Sequence, residues 1–162
     1  AQKTKERNDY TVFSVYGHGV DGLVYLIDQI RDKWEAPELK RRALDFWTKH
    51  AHEDYACRRM AVEDKASGTG LIQELKKEAK ALGTVEAIQR HVDKLTRVTD
   101  ATAQLEAGNV LIPYDAPWVS DFIAECEAFT SNDTHPHDDQ IDPLCDAVKK
   151  FLQKAKPRGF FD

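Results

Sequence analysis

From residue 36 onward, the sequence alternates between amphipathic segments with helical spacing and short apolar segments rich in β-branched residues. In the first helical segment, Leu39, Ala43 and Phe46 recur at the spacing that places side chains on one face of a helix. The predicted helices cover residues 36–54, 67–82, 93–108, 116–129 and 142–155, and the predicted strands between them cover 56–64, 83–91 and 109–113. Such alternation is typical of an α/β fold, in which helices pack on a central sheet.

The segment before this alternation predicts a β-hairpin. Residues 9–19 and 22–34 are both rich in β-branched and aromatic side chains, and the first of them ends in a Gly-His-Gly turn. The predicted order is therefore strand, strand, helix, strand, helix, strand, helix, strand, helix, helix.

Several helix ends carry their own sequence signals. Ser67 or Thr69 is expected to cap the second helix, and Gly108 is expected to stop the third. For the last helix, Asp142 is predicted as the N-cap and Pro143 as the first helical residue.

The length and composition limit the class of protein. A chain of 162 residues can fold as one domain around a single core. It contains no apolar run near the ~18 residues that a membrane helix needs, and its charged N-terminus does not resemble a signal peptide. Three cysteines without CxxC spacing favour a reducing compartment and argue against a zinc module. The net charge of −5 gives no overall attraction to nucleic acid, although a local basic patch or bound cations can supply it.

The stretch THPHDDQIDPLCDAV, residues 134–148, concentrates two histidines and four aspartates beside a predicted helix start. Asp139 and Asp142 are three residues apart, so on a helix they point to one side, where their charges repel. A helix N-terminus relieves part of this repulsion, and a divalent ion such as Mg²⁺ or Mn²⁺, which prefers hard oxygen ligands, relieves far more. A solvated loop that caps the helix is the alternative, and this stretch alone leaves both open.

A second acidic pair, Glu63 and Asp64, stands at the end of an apolar strand and before a glycine-bearing turn. In open α/β sheets, functional sites form beyond the carboxyl ends of strands. The following SGTG lacks the spacing of a phosphate-binding P-loop. An ordinary surface turn is the alternative, with Lys65 as a neutralising neighbour of the acids.

Two basic residues lie near the start of the predicted helix 93–108. Lys94 and Arg97 are three residues apart and share one side of the helix, where they could hold a phosphate backbone. A solvated helix face explains the same pattern.

Five segments together resemble a known family. NDYTVFSVYG, VEDKASGTGLIQEL, DKLTRVTDATAQLEAGNVLIP, APWVSDFIAECEAF and HDDQIDPLCDAV occur in the order found in the C-terminal nuclease domain of tailed-phage terminase large subunits. The resemblance covers nearly the whole chain. The most specific parts are HDDQID after a helix ending in EAF, VEDKASG, and DKLTRV followed by EAGNVLIP.

This resemblance implies a single domain over residues 1–162 with an RNase H-like fold, a central mixed β-sheet flanked by α-helices, related to Holliday-junction resolvases. It also implies a metal-dependent endonuclease that cuts concatemeric double-stranded viral DNA when packaging starts and ends. The partners would be DNA, the terminase ATPase domain, the small terminase subunit and the portal, with no membrane. The place of action would be the cytoplasm of a bacterial host, for a phage- or prophage-encoded protein.

The resemblance also assigns acids. The family's strand-end acid matches Glu63, and the acids at the start of the late helix match Asp138, Asp139 and Asp142. The implied metal ligands are Glu63, Asp139, Asp142 and His137, with Asp139 the first choice. His137 would orient a ligand or contact a metal. Two Mg²⁺ or Mn²⁺ ions about 4 Å apart would activate water and stabilise the leaving 3′ oxygen.

For DNA, the resemblance assigns contacts with the phosphate backbone to Lys94 and Arg97, and Lys65 is assigned to DNA binding as well. The basic side chains would neutralise phosphates without reading the sequence.

The chain departs from the family pattern in three ways. A further family aspartate on the first strand would lie just upstream of Ala1, and no Walker A motif is present, so we expect a fragment with doubtful activity. Pro143 stands where relatives often carry alanine, and the acidic net charge argues against tight DNA binding by this domain alone. Two alternatives stay open: a catalytically silent module that docks on a portal or motor domain, and a resolvase-like nuclease acting on branched DNA.

Overall fold

The computed structural model describes residues 10–65, 67–129 and 137–153. Within them the elements follow the predicted order. The strands are β1 (Thr11–His18), β2 (Val24–Asp32), β3 (Arg59–Glu63), β4 (Thr84–Ile88) and β5 (Val110–Leu111). The helices are α1 (Ala36–Ala51), α2 (Ser67–Glu78), α3 (Lys94–Glu106), α4 (Val119–Ala128) and α5 (Ile141–Leu152). The predicted α/β fold that begins with a hairpin is therefore confirmed.

The strands form two sheets, one with the order β1-β2-β5 and one with β3 beside β4. β2 and β5 run parallel with Val24 opposite Val110, and β3 and β4 run parallel with Glu63 opposite Ile88. Because parallel strands end at the same edge of a sheet, the residues that follow β3 and β4 lie side by side. That edge holds the acidic pair predicted from the sequence.

The chain divides into two compact units. The first comprises Ala1–Val15 and Gln29–Asp93, and the second comprises Tyr16–Asp28 and Lys94–Asp162. β1 and β2 therefore contribute residues to both units, because the boundaries after Val15 and after Asp28 lie within these strands.

The first unit has its core between α1, α2 and the β3–β4 sheet. Leu39, Ala43 and Trp47 of α1 pack with Leu71 and Leu75 of α2, and all five side chains are buried. The indole nitrogen of Trp47 donates a hydrogen bond of 3.1 Å to the Cys57 carbonyl oxygen, so the ring satisfies its polar group inside this core.

The second unit has its core between α3, α4, α5 and the first residues of β2. Leu26, Ala101, Phe122, Leu144 and Val148 are its central buried residues. The last two occupy the apolar face of α5, as the helical spacing predicts. No helix within the described ranges is both long enough and apolar enough to cross a membrane.

The helix ends test the predicted caps. Gly108, two residues after the last residue of α3, has φ +74°, so the predicted glycine stop is confirmed. Ser67 and Thr69 are the first and third helical residues of α2, so the prediction that one of them is the N-cap was wrong. The Thr69 hydroxyl donates to Asp64 instead of accepting from the backbone.

The start of α5 also differs from the prediction. The N-cap is Gln140 rather than Asp142, and Pro143 is the third helical residue rather than the first. The helix starts earlier because Ile141 is buried in the core and its N–H donates to the Asp138 carbonyl oxygen at 3.1 Å. Pro143 is still tolerated, since backbone N–H groups in the first turn have no acceptor within the helix.

Candidate active site

The predicted acids lie in two turns, one in each unit. The β3–α2 turn contains Glu63, Asp64 and Lys65 and leads into the first residues of α2. The α5 start comprises residues 137–142.

Glu63 is the last residue of β3, and its side chain is 39% exposed. Its Oε1 lies 3.5 Å from Nε of Arg90, two residues beyond the end of β4. The parallel pairing of β3 with β4 brings this guanidinium to the acid, because Glu63 is opposite Ile88. Glu63 is thus an ionisable group at a strand end, accessible to solvent and oriented by a cation.

Asp64 connects the three elements around the β3–α2 turn. Its Oδ1 accepts a hydrogen bond of 2.7 Å from the Thr69 hydroxyl in α2, and its Oδ2 accepts one of 2.8 Å from the Gln89 amide after β4. Its own N–H donates to the Ile88 carbonyl oxygen at 2.9 Å. With both oxygens and its N–H used, Asp64 fixes the turn next to Glu63.

The β3–α2 turn is also closed by the backbone. The Gly68 N–H donates to the Lys65 carbonyl oxygen at 3.0 Å, and a Cβ placed on Gly68 would lie only 2.0 Å from the Glu63 carbonyl oxygen. Only glycine fits this close approach without a shift of the backbone. The side chain of Lys65 is exposed, as suits a residue that meets solvent or a polyanion.

The α5 start is anchored by a buried carboxylate that the sequence reading missed. Glu125 of α4 accepts a hydrogen bond of 2.6 Å from the Gln140 N–H and one of 2.9 Å from the Gln140 side-chain amide. Glu125 is 6% exposed and Gln140 is 1% exposed. Since Gln140 directly follows Asp139, this pair fixes the backbone beside the first-choice metal ligand.

Two cations of α3 contact two acids of the α5 start. Nζ of Lys94 lies 2.7 Å from Oδ2 of Asp138 and 3.0 Å from Oδ2 of Asp142, and Nη1 of Arg97 lies 2.5 Å from Oδ1 of Asp142. All four side chains are between 17% and 28% exposed. We call this set the Lys94–Asp138–Asp142–Arg97 cluster.

The pKa of Lys94 reports the balance of forces in that cluster. Burial lowers the pKa of Lys94. The hydrogen bonds to Asp138 and Asp142 and the negative charges of these two residues raise it, and their combined effect is larger. The net result is a pKa raised above the ordinary value of 10.5, so the ammonium is charged throughout the physiological range.

His137 and Asp139 complete the α5 start. His137 is exposed, whereas Asp139 is partly buried in the turn before Gln140. Both make further contacts, so neither is an isolated side chain.

The model of the terminase RNaseH-like domain matches residues 1–151, which is most of the chain. The chain belongs to this family. A search of curated proteins gave no significant match, and neither did a search of solved structures.

Membership of the terminase RNaseH-like family confirms the resemblance stated from the sequence and the RNase H-like class of the fold. The five sequence segments that carried the resemblance all begin within the matched residues.

The predicted site residues of this terminase domain are divided between the two units. Lys94 and Arg97 meet Asp138 and Asp142 in the second unit, whereas Glu63 and Lys65 belong to the first. Glu125 and Gln140 were missed because their pairing depends on the packing of α4 against the α5 start, which no local sequence pattern shows. The signal that was available was Glu125 on the apolar side of α4, between Phe122 and Phe129.

The resemblance stated from the sequence implies a divalent metal ion at these acids. Over residues 10–65, 67–129 and 137–153, no group of three or more His, Cys, Asp or Glu side chains is placed to hold a metal ion. Both oxygens of Asp142 are in contact with cationic nitrogens, which repel a metal ion. In this arrangement Asp138 and Asp142, which are both paired with Lys94, do not fit a metal centre.

Proposed function

We propose that this domain is the nuclease of a phage or prophage DNA-packaging terminase large subunit, cutting concatemeric double-stranded viral DNA with Mg²⁺ or Mn²⁺. The family match over residues 1–151 carries the proposal. The proposed setting is the cytoplasm of the bacterial host. The proposed partners are DNA, the ATPase domain, the small terminase subunit and the portal.

Within this proposal, Glu63 and Asp139 are the principal acids. Glu63 is supported by its place at a strand end, with its main chain fixed by the Gly68 contact and its side chain oriented by Arg90. Asp139 is supported by the neighbouring Gln140, which a buried carboxylate locks in place. His137 is the proposed neighbouring ligand, since its ring is exposed at the same turn.

For DNA, the proposed backbone contact is Lys65, because its side chain is exposed beside Glu63. Lys94 and Arg97 already engage carboxylates, so a DNA phosphate would have to displace Asp138 or Asp142 to bind them.

The test is a nicking assay on supercoiled plasmid in Mn²⁺, with the 162-residue chain and with a form extended upstream of Ala1 in the parent gene. Glu63→Ala and Asp139→Ala are expected to abolish cleavage in whichever form cuts. Glu106→Ala, an exposed acid at the end of α3, is the matched control and is expected to cut normally.

Normal cleavage by both acid variants would contradict the assignment of these residues. If neither form cuts and neither binds metal, a module that docks on the portal or motor domain becomes the better account. A preference for branched over linear DNA would favour the resolvase-like alternative.

A further inference from the structure

Nζ of Lys94 lies between two carboxylates of the α5 start. Its nitrogen lies 2.7 Å from Asp138 and 3.0 Å from Asp142, which are both distances of charge-assisted hydrogen bonds. Asp138 and Asp142 are four residues apart at the start of α5, so one ammonium reaches both.

The charges of the cluster already balance. Asp138 and Asp142 carry two negative charges, and Lys94 and Arg97 carry two positive charges, so the four side chains sum to zero. A divalent ion that approached Asp142 would meet a guanidinium on Oδ1 and an ammonium on Oδ2. Its attraction to the carboxylate would be offset by repulsion from both cations.

Partial burial strengthens the interactions between these four charges. The four side chains are between 17% and 28% exposed, so water and salt screen their interactions less than those of fully exposed charges. α3 and α5 pack against each other in the core of the second unit through Ala101, Leu144 and Val148. The packed helices therefore hold the cations and the acids at fixed distances.

We propose that Lys94 is the built-in counter-ion of Asp138 and Asp142, so that these two aspartates do not ligate a metal ion while Lys94 is present. Lys94 is a positioning residue that holds the first turn of α5, and its role does not depend on DNA cleavage by the chain. Arg97 supports it by holding the second oxygen of Asp142.

The chain offers a matched control in its first unit. Lys40 of α1 also bridges two carboxylates four residues apart, with Nζ 3.8 Å from Glu74 and 3.0 Å from Glu78 of α2. These glutamates are 54% and 46% exposed, so their side chains remain mobile and hydrated when the lysine is removed.

The experiment is a titration of Mn²⁺ into the 162-residue chain, followed by the electron paramagnetic resonance signal of free Mn²⁺. Lys94→Met is expected to bind one Mn²⁺ more than the unaltered chain, because the uncovered aspartates can then share a metal ion. Lys94→Arg and Lys40→Met are expected to match the unaltered chain. Adding Asp138→Asn and Asp142→Asn to Lys94→Met is expected to remove the extra site.

An unchanged number of Mn²⁺ ions on Lys94→Met, with a far-ultraviolet circular dichroism spectrum like that of the unaltered chain, would overturn the proposal. A second measurement leaves the ion pairs of Lys94 intact: the side-chain ammonium of Lys94 is followed by NMR while Mg²⁺ is added to Asp139→Ala, which lacks the proposed neighbouring metal ligand. A constant Lys94 signal at millimolar Mg²⁺ is expected. A saturable shift of that signal would show that the metal displaces Lys94, and the proposal would fail.

Discussion

The β3–α2 turn and the α5 start each use a carboxylate to fix the backbone beside a candidate acid, but they do so in different surroundings. In the β3–α2 turn, Asp64 accepts hydrogen bonds from the exposed side chains of Thr69 and Gln89. In the α5 start, Glu125 accepts two hydrogen bonds from Gln140, and both residues are buried.

Burial decides what the loss of each carboxylate would cost. Water can replace an exposed carboxylate as an acceptor, whereas a buried donor that loses its acceptor keeps the full desolvation penalty. The β3–α2 turn has a different constraint, because Gly68 approaches the Glu63 carbonyl oxygen more closely than any Cβ allows. The conformation of the β3–α2 turn thus depends on the close approach of two backbone segments. That of the α5 start depends on buried hydrogen bonds and on ion pairs.

The largest effect is expected from Glu125→Ala. It removes the acceptor of two buried Gln140 donors and should lower the free energy of unfolding by about 3 kcal/mol. Asp64→Ala should lower it by only about 1 kcal/mol, because solvent reaches Thr69 and Gln89. Urea denaturation of both variants measures the difference, and equal losses would remove the contrast between the two turns.

A smaller effect is expected from Gly68→Ala. Its Cβ would lie 2.0 Å from the Glu63 carbonyl oxygen, so the turn must shift at a cost of about 2 kcal/mol. Gly70→Ala is the control: a Cβ at that position in α2 meets nothing within 4 Å, and the change should stabilise the helix by about 1 kcal/mol. If thermal denaturation shows both variants destabilised alike, the close approach at Gly68 is not the reason.

The smallest effect is expected in the dependence of stability on pH. The pKa of Lys94 is raised above 10.5 in the folded chain, so the stabilisation from its ion pairs is complete below pH 10.5 and is lost as the pH rises through the folded value. The difference in unfolding free energy between the unaltered chain and Lys94→Met should therefore shrink in alkaline solution. A difference that grows with pH would contradict the ion pairs in the α5 start.

The order of strands and helices followed from the sequence, because each element carries its own pattern of apolar residues. Leu144 and Val148 on α5, for example, share a face at helical spacing whatever they pack against. The prediction of Asp142 as the N-cap was wrong because the start of α5 is set by tertiary contacts and not by the local pattern. Burial of Ile141 and the acceptors offered to Gln140 depend on α4 and on the core, so the helix started two residues earlier than the local pattern indicated.

The candidate acids could also be found from the sequence, since Glu63 ends an apolar strand and the other acids cluster before a helix. The sequence together with the family match determined what kind of domain this is. Only the tertiary structure decided which partners the acids have. Lys94 lies 44 residues before Asp138, and no local pattern pairs them; the packing of α3 on α5 does. Ion pairing depends on distance in space, and that distance exists only after the helices have packed.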